Sequence, residues 1–219
     1  MKPEDIVQYL QNHPQFFEDY ADAIANITIP HLQNSKSVIS ISERQIVALR
    51  NKNQILQDKL LELISFGEKN DAIGEKMHRL TIAVLACSSL DELLHNIKFN
   101  LNEDFAIPYI ELRLWGIATG KNNIKQKEFT KTTKDTHVIA ESLTKPYCGH
   151  HVVDEIKNWF GDDVAHLKSF SMTPIRGQET IGLLVLASPD EKRFFPGMET
   201  LYLKRLGEII CTALARYAS

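Results

Sequence analysis

Residues 39–63 read ISISERQIVALRNKNQILQDKLLEL and carry mostly apolar side chains at alternating intervals of three and four residues. This heptad spacing places one apolar stripe along a helix, because an α-helix completes a turn about every 3.6 residues. The run contains neither Gly nor Pro. We therefore predict a long helix whose stripe faces a partner helix.

The composition of the stripe favours a second copy of the chain as that partner. Ile at the first heptad position and Leu at the fourth favour a parallel, two-stranded coiled coil, and a single Asn at a first position can pair with its twin and fix the register. Few flanking positions carry complementary charge, so an ordinary amphipathic helix packed on its own domain is the alternative. The predicted dimer interface consists of Ile39, Ile46, Leu49, Asn53, Leu56, Leu60 and Leu63.

Two short amphipathic helices are predicted before this run, separated by Pro14 and ended by Pro30. They carry an aromatic pair, Phe16 and Phe17. Because so short a segment cannot bury a core of its own, we expect it to dock on the rest of the chain or on a second copy.

After the run, Gly67 is predicted to end the long helix, which gives domain limits of 1–68 and 69–219. Ser89, followed three residues later by Glu92, forms a capping box and predicts a further helix. The last helix is predicted to begin near Met198.

The period of the apolar pattern changes to two beyond Pro108, so residues 109–115 are predicted to form a strand with one covered face. Residues 170–175 and 180–188 predict a hairpin whose second strand is central, because it is apolar on both faces. The lysine-rich residues 120–135 predict an exposed hairpin or edge strand. The predicted fold class is α+β: a helical, coiled-coil region followed by an antiparallel sheet flanked by helices.

Composition limits the partners and the location of the protein. The chain has 219 residues and a net charge of -3, which does not favour nucleic acid as a partner. Its apolar runs are too short for a membrane span, and no export signal opens the chain. Three widely spaced cysteines indicate reduced thiols, so we expect a cytoplasmic protein.

The order of elements after Ile73, with the strand Gly-Leu-Leu-Val-Leu-Ala-Ser at 182–188, resembles the GAF domain of sensory and regulatory proteins. The whole chain resembles a bacterial family, domain of unknown function 484. The stretches that carry this second resemblance are 9–17, Ile29-Pro-His31, 42–50, Tyr147-Cys-Gly149 and 188–194.

The GAF resemblance implies an antiparallel sheet with helices on both faces, often a dimer through an N-terminal helix, and sometimes a small-molecule pocket between the sheet and its loops. Cyclic nucleotides, bilins, haem and amino acids are ligands of different GAF families. The Asn-Lys and Phe-x-x-x-Asp-Glu motif of the cyclic-nucleotide-binding members is absent from this sequence. The resemblance therefore leaves the cofactor open.

Cys148, Gly149, His150 and His151 form the densest cluster of reactive side chains. The cluster is compatible with a metal site or with a thiol nucleophile beside an imidazole. The simplest interpretation is a tight turn in which Gly149 has an unusual backbone conformation and Cys148 packs in the core. A turn that lines a ligand is the intermediate case. We assign no catalytic residue and no metal ligand.

The candidate ligand-binding residues are Arg113 and Trp115, which alternate on one strand face, and Tyr147, Cys148 and Gly149 of the turn. The sequence thus predicts a non-enzymatic sensory or regulatory homodimer that binds a small ligand there and signals through its helical region. One alternative is a protein–protein adaptor whose pocket is filled by its own side chains. Another is a thiol-dependent enzyme centred on Cys148.

Overall fold

The structure is a computed structural model that describes residues 2–25, 41–115 and 126–217. Its first helices are α1 (Pro3–Asn12), α2 (Phe16–Asp19) and α3 (Ala21–Ala25). A proline at the first helical position starts α1, where its missing N–H costs no hydrogen bond. The predicted break at Pro14 lies between α1 and α2, whereas Pro30 lies outside the described residues.

A single helix, α4 (Ile41–Ala86), covers 46 residues and includes most of the heptad run. The predicted helix end at Gly67 is wrong, because α4 continues through both Gly67 and Gly74. One glycine costs a helix interior only about 1 kcal/mol relative to alanine, and the good helix formers around it outweigh that cost. Ile39 lies outside the described residues.

The contacts of the chain group into two compact units, residues 1–59 and 60–219, and α4 contributes to both. The domain limits predicted from the sequence, 1–68 and 69–219, stay a prediction. None of the described helices, α4 included, combines the length and the apolarity that a bilayer crossing requires.

The second unit contains a four-stranded antiparallel sheet in the order β1-β4-β3-β2. Its strands are β1 (Tyr109–Leu114), β2 (Tyr147–Gly149), β3 (Ser169–Arg176) and β4 (Thr180–Ser188). The predicted hairpin of β3 and β4 is confirmed, and β4 is central as expected from its apolar residues on both faces. The α+β class is likewise confirmed.

Helices cover both faces of the sheet. The C-terminal part of α4, α5 (Leu90–Glu103) and α8 (Leu201–Ala215) enclose a core on one face. The other face is covered by α6 (Lys134–Ser142) and α7 (Asp154–Asn158). The predicted cap of α5 is present, since Ser89 Oγ accepts a hydrogen bond of 3.2 Å from the backbone N–H of Glu92.

Two further local predictions require correction. Strand β1 has both faces covered rather than one, because Glu111 and Arg113 are only 6% and 5% exposed. From residue 126 onward the lysine-rich segment forms a 3₁₀ turn, Lys127–Phe129, and then α6, rather than a strand; residues 120–125 lie outside the described residues. Thr133 explains the start of α6, because its hydroxyl accepts from the N–H of Thr136.

The predicted unusual backbone at Gly149 is also wrong. Gly149 lies in β2, and its φ is not among the positive values. A side chain is excluded there for another reason: a Cβ atom would lie 2.3 Å from the phenolic oxygen of Tyr147. The glycine therefore makes room for the tyrosine ring.

Candidate functional site

Arg113 is fixed on the sheet face that α6 and α7 cover. Its Nη1 donates to Glu111 Oε2 at 2.6 Å, and its guanidinium lies 4.9 Å from the centre of the Trp159 ring. Glu111 accepts a second charged hydrogen bond of 2.5 Å from Lys127 Nζ. Because the positive charge of Arg113 is balanced within the core, this arginine already has its anionic partner.

Trp115, just after β1, stacks on the imidazole of His137 with ring centroids 4.3 Å apart and planes 11° apart. His137 comes from α6, and its Nε2 lies 2.7 Å from Thr132 Oγ1. The two half-buried rings hold the end of β1 against the first turn of α6. They provide a flat aromatic surface beside Arg113, but within the described residues each ring is already covered by the other.

Glu155 of α7 joins the same region to α6. Its carboxylate accepts hydrogen bonds from the backbone N–H and the hydroxyl of Thr133 and from the hydroxyl of Thr136. Burial alone would raise the pKa of Glu155, but these hydrogen bonds and the nearby His137 outweigh it and lower the pKa. The carboxylate is thereby held ionised as a clamp between two helices.

Tyr147, Cys148 and Gly149 lie on β2, at the opposite edge of the sheet from β1. Three strand spacings of about 4.8 Å separate the two strands, so Tyr147 is roughly 14 Å from the Arg113 strand. The phenolic O–H of Tyr147 donates to the carbonyl of His151 at 2.9 Å. The predicted ligand residues therefore do not form one contiguous cluster.

Cys148 faces the other side of the sheet and is buried in the core with α4, α5 and α8. Burial raises the pKa of its thiol, which favours the protonated and less nucleophilic form. The imidazole of His150 is turned toward the carbonyl of Glu191, with Nε2 at 3.3 Å. Within the described ranges, no group of three or more His, Cys, Asp and Glu side chains is placed to hold a metal ion.

Sequence reasoning found Arg113 and Trp115 but missed the residues that engage them, Glu111, Trp159 and His137. Glu111 was detectable, because residues two apart on a strand share a face and an opposite charge there indicates a pair. Trp159 and His137 are brought in by helices distant in sequence, so no local pattern pointed to them. The described part of this face is filled by aromatic and aliphatic side chains around these pairs.

A second candidate site is the row of heptad positions on α4. We call Ile46, Leu49, Asn53, Leu56, Leu60 and Leu63 the α4 stripe. All six are exposed, and Leu49 and Leu63 each expose 65% of their surface. An apolar row of this length on a helix indicates an interaction surface.

Counted at the same heptad spacing, and beyond the interrupting residues Gly67, Asn70 and Gly74, Met77, Thr81 and Val84 occupy equivalent positions of α4. They lie in the part of the helix that packs against the sheet domain. There Met77 is 8% and Val84 is 1% exposed. These three residues also line an apolar groove of about 380 Å³ between α4 and α8. The heptad positions are thus exposed along the α4 stripe, whereas Met77 and Val84 are buried.

The full chain, residues 1–219, matches the family described as protein of unknown function, DUF484. The chain belongs to this family. This DUF484 chain is similar to the uncharacterized protein YigA of Salmonella typhimurium, with 21% identity over 217 residues that cover 97% of this chain and 90% of the relative. It is similar to the same extent to YigA of Shigella flexneri, at 22% identity, and of Escherichia coli K12, at 21% identity, with the same coverage.

Proposed function

We propose that this DUF484 protein is a non-enzymatic regulatory homodimer in which the α4 stripes of two copies pair. The observation that carries the proposal is the unequal burial of one heptad register along α4. Where the fold supplies packing, Met77 and Val84 are buried; along the α4 stripe, equivalent positions are exposed. Leucines in such a row stabilise a helix in water only when a partner covers them.

A second copy fits the α4 stripe better than an unrelated surface. The spacing of 3.5 residues is that of two helices wound around each other, and identical stripes match in length and register without further requirements. Asn53 supports a symmetric pairing, because its amide can hydrogen-bond to the same amide of the other copy, whereas an apolar partner surface would leave it unsatisfied.

Two features support a protein–protein role over catalysis or a ligand on the predicted face. The Cys148 thiol is buried with a raised pKa, which disfavours a thiol enzyme. The charge of Arg113 is taken up by Glu111, and the described side chains around it fill their own space. This matches the adaptor alternative, so the sensory role with a ligand at Arg113, Trp115 and Tyr147 stays a prediction.

Analytical ultracentrifugation of the full chain at micromolar concentration tests the dimer. We expect a species of twice the 24.9 kDa chain mass. Leu60→Glu should convert it to the monomer, because it places a charge in the apolar seam. The matched control is Leu61→Glu, which changes the neighbouring exposed leucine outside the α4 stripe and should leave the dimer intact.

A wild-type monomer would contradict the proposal, as would equal effects of the two variants. In the latter case, the association would depend on general hydrophobicity rather than on the heptad register. A stable wild-type monomer would indicate that other parts of the same chain cover the α4 stripe.

A further inference from the structure

A cavity of about 180 Å³, which we call the edge cavity, lies where β3 extends beyond β2. Strand β2 pairs only as far as Met172 of β3, so the following residues of β3 have a described strand partner on the β4 side alone. The loop that precedes β2 and one face of α8 close the open side. The residues that concern us are Lys145, Thr173, Arg176, Lys204, Gly207 and Glu208.

Thr173 supplies an unused hydrogen-bonding group at this cavity. It is 1% exposed, and its Oγ1 has no hydrogen-bond partner in the described structure. A buried hydroxyl without a partner is destabilising, so native proteins rarely leave one unsatisfied. The oxygen atom is almost fully covered in this structure, so the hydroxyl can donate to a molecule in the cavity only after a change of the Thr173 rotamer.

Helix α8 is held close to Thr173 by Gly207. A Cβ atom at position 207 would lie 2.9 Å from Thr173 Cγ2 and 3.1 Å from the carbonyl oxygen of Pro174. The close approach brings the exposed side chains of the adjacent helical turn, including Lys204, to the border of the cavity. The cavity is therefore built by packing between secondary-structure elements rather than by one loose loop.

The charge around the edge cavity is positive. Lys145, Arg176 and Lys204 contribute three cationic groups against the single carboxylate of Glu208. Lys145 has no ion-pair partner among the described residues. Glu208 Oε1 lies 3.8 Å from Lys204 Nζ, and an exposed ion pair of this kind is weak.

Arg176 is the most firmly placed of the three cations. Its Nε donates to Thr180 Oγ1 at 2.9 Å, and its Nη2 donates to the carbonyls of Ala140 and Glu141 at 2.9 and 2.7 Å. These bonds use Nε and Nη2 and leave Nη1 without a described partner. The guanidinium is thus fixed at the wall of the cavity by the C-terminal end of α6.

We propose that the edge cavity binds a small oxyanion, either a carboxylate or a phosphate group carried by a compact metabolite. A hydroxyl donor among several cations is suited to oxyanion oxygens, since lysine and arginine only donate hydrogen bonds. The cavity of about 180 Å³ is below the range of about 300–1,000 Å³ that is usual for sites of larger ligands, so a compact ligand fits it better than a nucleotide does. This site is separate from the residues predicted from the sequence and does not depend on the α4 stripe.

Nuclear magnetic resonance of the isotope-labelled full chain tests the site with two probes, inorganic phosphate and acetate, each titrated in the millimolar range at constant ionic strength. We expect the amide signals of Lys145 and Gly177 to shift and saturate with at least one probe. Saturation with phosphate alone identifies phosphate chemistry, and saturation with acetate alone identifies a carboxylate. Sodium chloride over the same range should leave these signals unsaturated.

Thr173→Val removes the hydroxyl at nearly constant side-chain volume and should weaken the binding of the probe at least tenfold. Lys145→Gln should also weaken it, and provides a second variant should Thr173→Val disturb the fold. The controls are Ser171→Ala, a buried hydroxyl on the same face of β3 outside the cavity, and Lys131→Gln, an exposed lysine elsewhere.

Unsaturable shifts with both probes would overturn the proposal, and so would wild-type affinity in both cavity variants. A cavity occupied only by water would give the first of these results. Because all four variants lie outside the α4 stripe, they should sediment like the wild type. A failure of the oxyanion proposal can therefore be distinguished from a failure of the homodimer proposal.

Discussion

Arg113 and Glu111 stand two residues apart on β1, and each is the principal reason why the other is tolerated in the core. Two charges without water are costly, and the cost is offset only when their geometry and remaining hydrogen bonds are good. Here Glu111 has two cationic donors, and Arg113 has an aromatic face at Trp159 in addition. Removal of one partner should therefore be far more harmful than loss of an exposed pair.

Arg113→Ala is expected to lower the free energy of unfolding by about 3–5 kcal/mol, because it leaves a buried carboxylate with one donor fewer. Urea denaturation followed by circular dichroism measures this change. Lys157→Ala, which removes the exposed pair with Asp154 at 3.6 Å, is the control and should cost less than about 1 kcal/mol. Similar losses of unfolding free energy in the two variants would show that the buried pair stabilises the fold no more than the exposed pair does.

The sequence indicated Arg113 as a candidate residue but not the neutralisation of its charge. Alternation along β1 shows which residues share a face, and this much is local information. Whether that face is solvated depends on α6 and α7, which begin tens of residues later. The same limit applies to Cys148, whose orientation toward the opposite core follows from the pairing of β2 with β3.

Among the secondary-structure elements, α6 and α7 are joined by a carboxylate rather than by apolar contact alone. Glu155 of α7 accepts three hydrogen bonds from the first turn of α6. Its pKa is lowered in the folded protein, so the native state favours the ionised form more than the unfolded chain does. Stability from this contact is present above the ordinary carboxyl pKa and is lost as the pH falls through the lowered folded value.

Glu155→Gln should therefore be less stable than the wild type at neutral pH, and the difference should narrow as the pH falls below about 4.5. Urea midpoints of the two proteins, measured from neutral to acidic pH, test this. Glu141→Gln, at an exposed position of α6, is the control and should show no such narrowing. A constant difference at every pH would mean that the side chain acts through its shape instead of its charge.

Periodicity predicted the location of α5, α8, β1 and β4 well, although β1 has both faces covered where one was expected. It failed at Gly67, because a glycine is only a weak interruption when no helix-ending conformation or proline follows it. The prediction for the lysine-rich segment was also wrong, because it was based on composition, which indicated an exposed strand. The cap at Thr133 was the signal that would have identified the start of α6.

For the whole molecule, the proposed homodimer predicts that stability depends on protein concentration. Unfolding of a dimer releases two chains, so a higher total concentration favours the folded pair by mass action. The thermal midpoint of the wild type should rise with concentration, whereas that of Leu60→Glu should be constant. Differential scanning calorimetry over a hundredfold range of concentration provides the measurement, and a concentration-independent wild type would contradict the dimer.

The end of β3 affects one more property of the molecule, its resistance to aggregation. Beyond Met172 the outer edge of this strand is bordered by the loop before β2 and by α8 rather than by a strand. An edge without a strand partner is a template on which a strand of another molecule can add. Pro174 lies in this open part and has no N–H to donate, so an incoming strand would lose one rung of the ladder. Pro174, which also lines the edge cavity, therefore hinders aggregation by the addition of a strand at this edge.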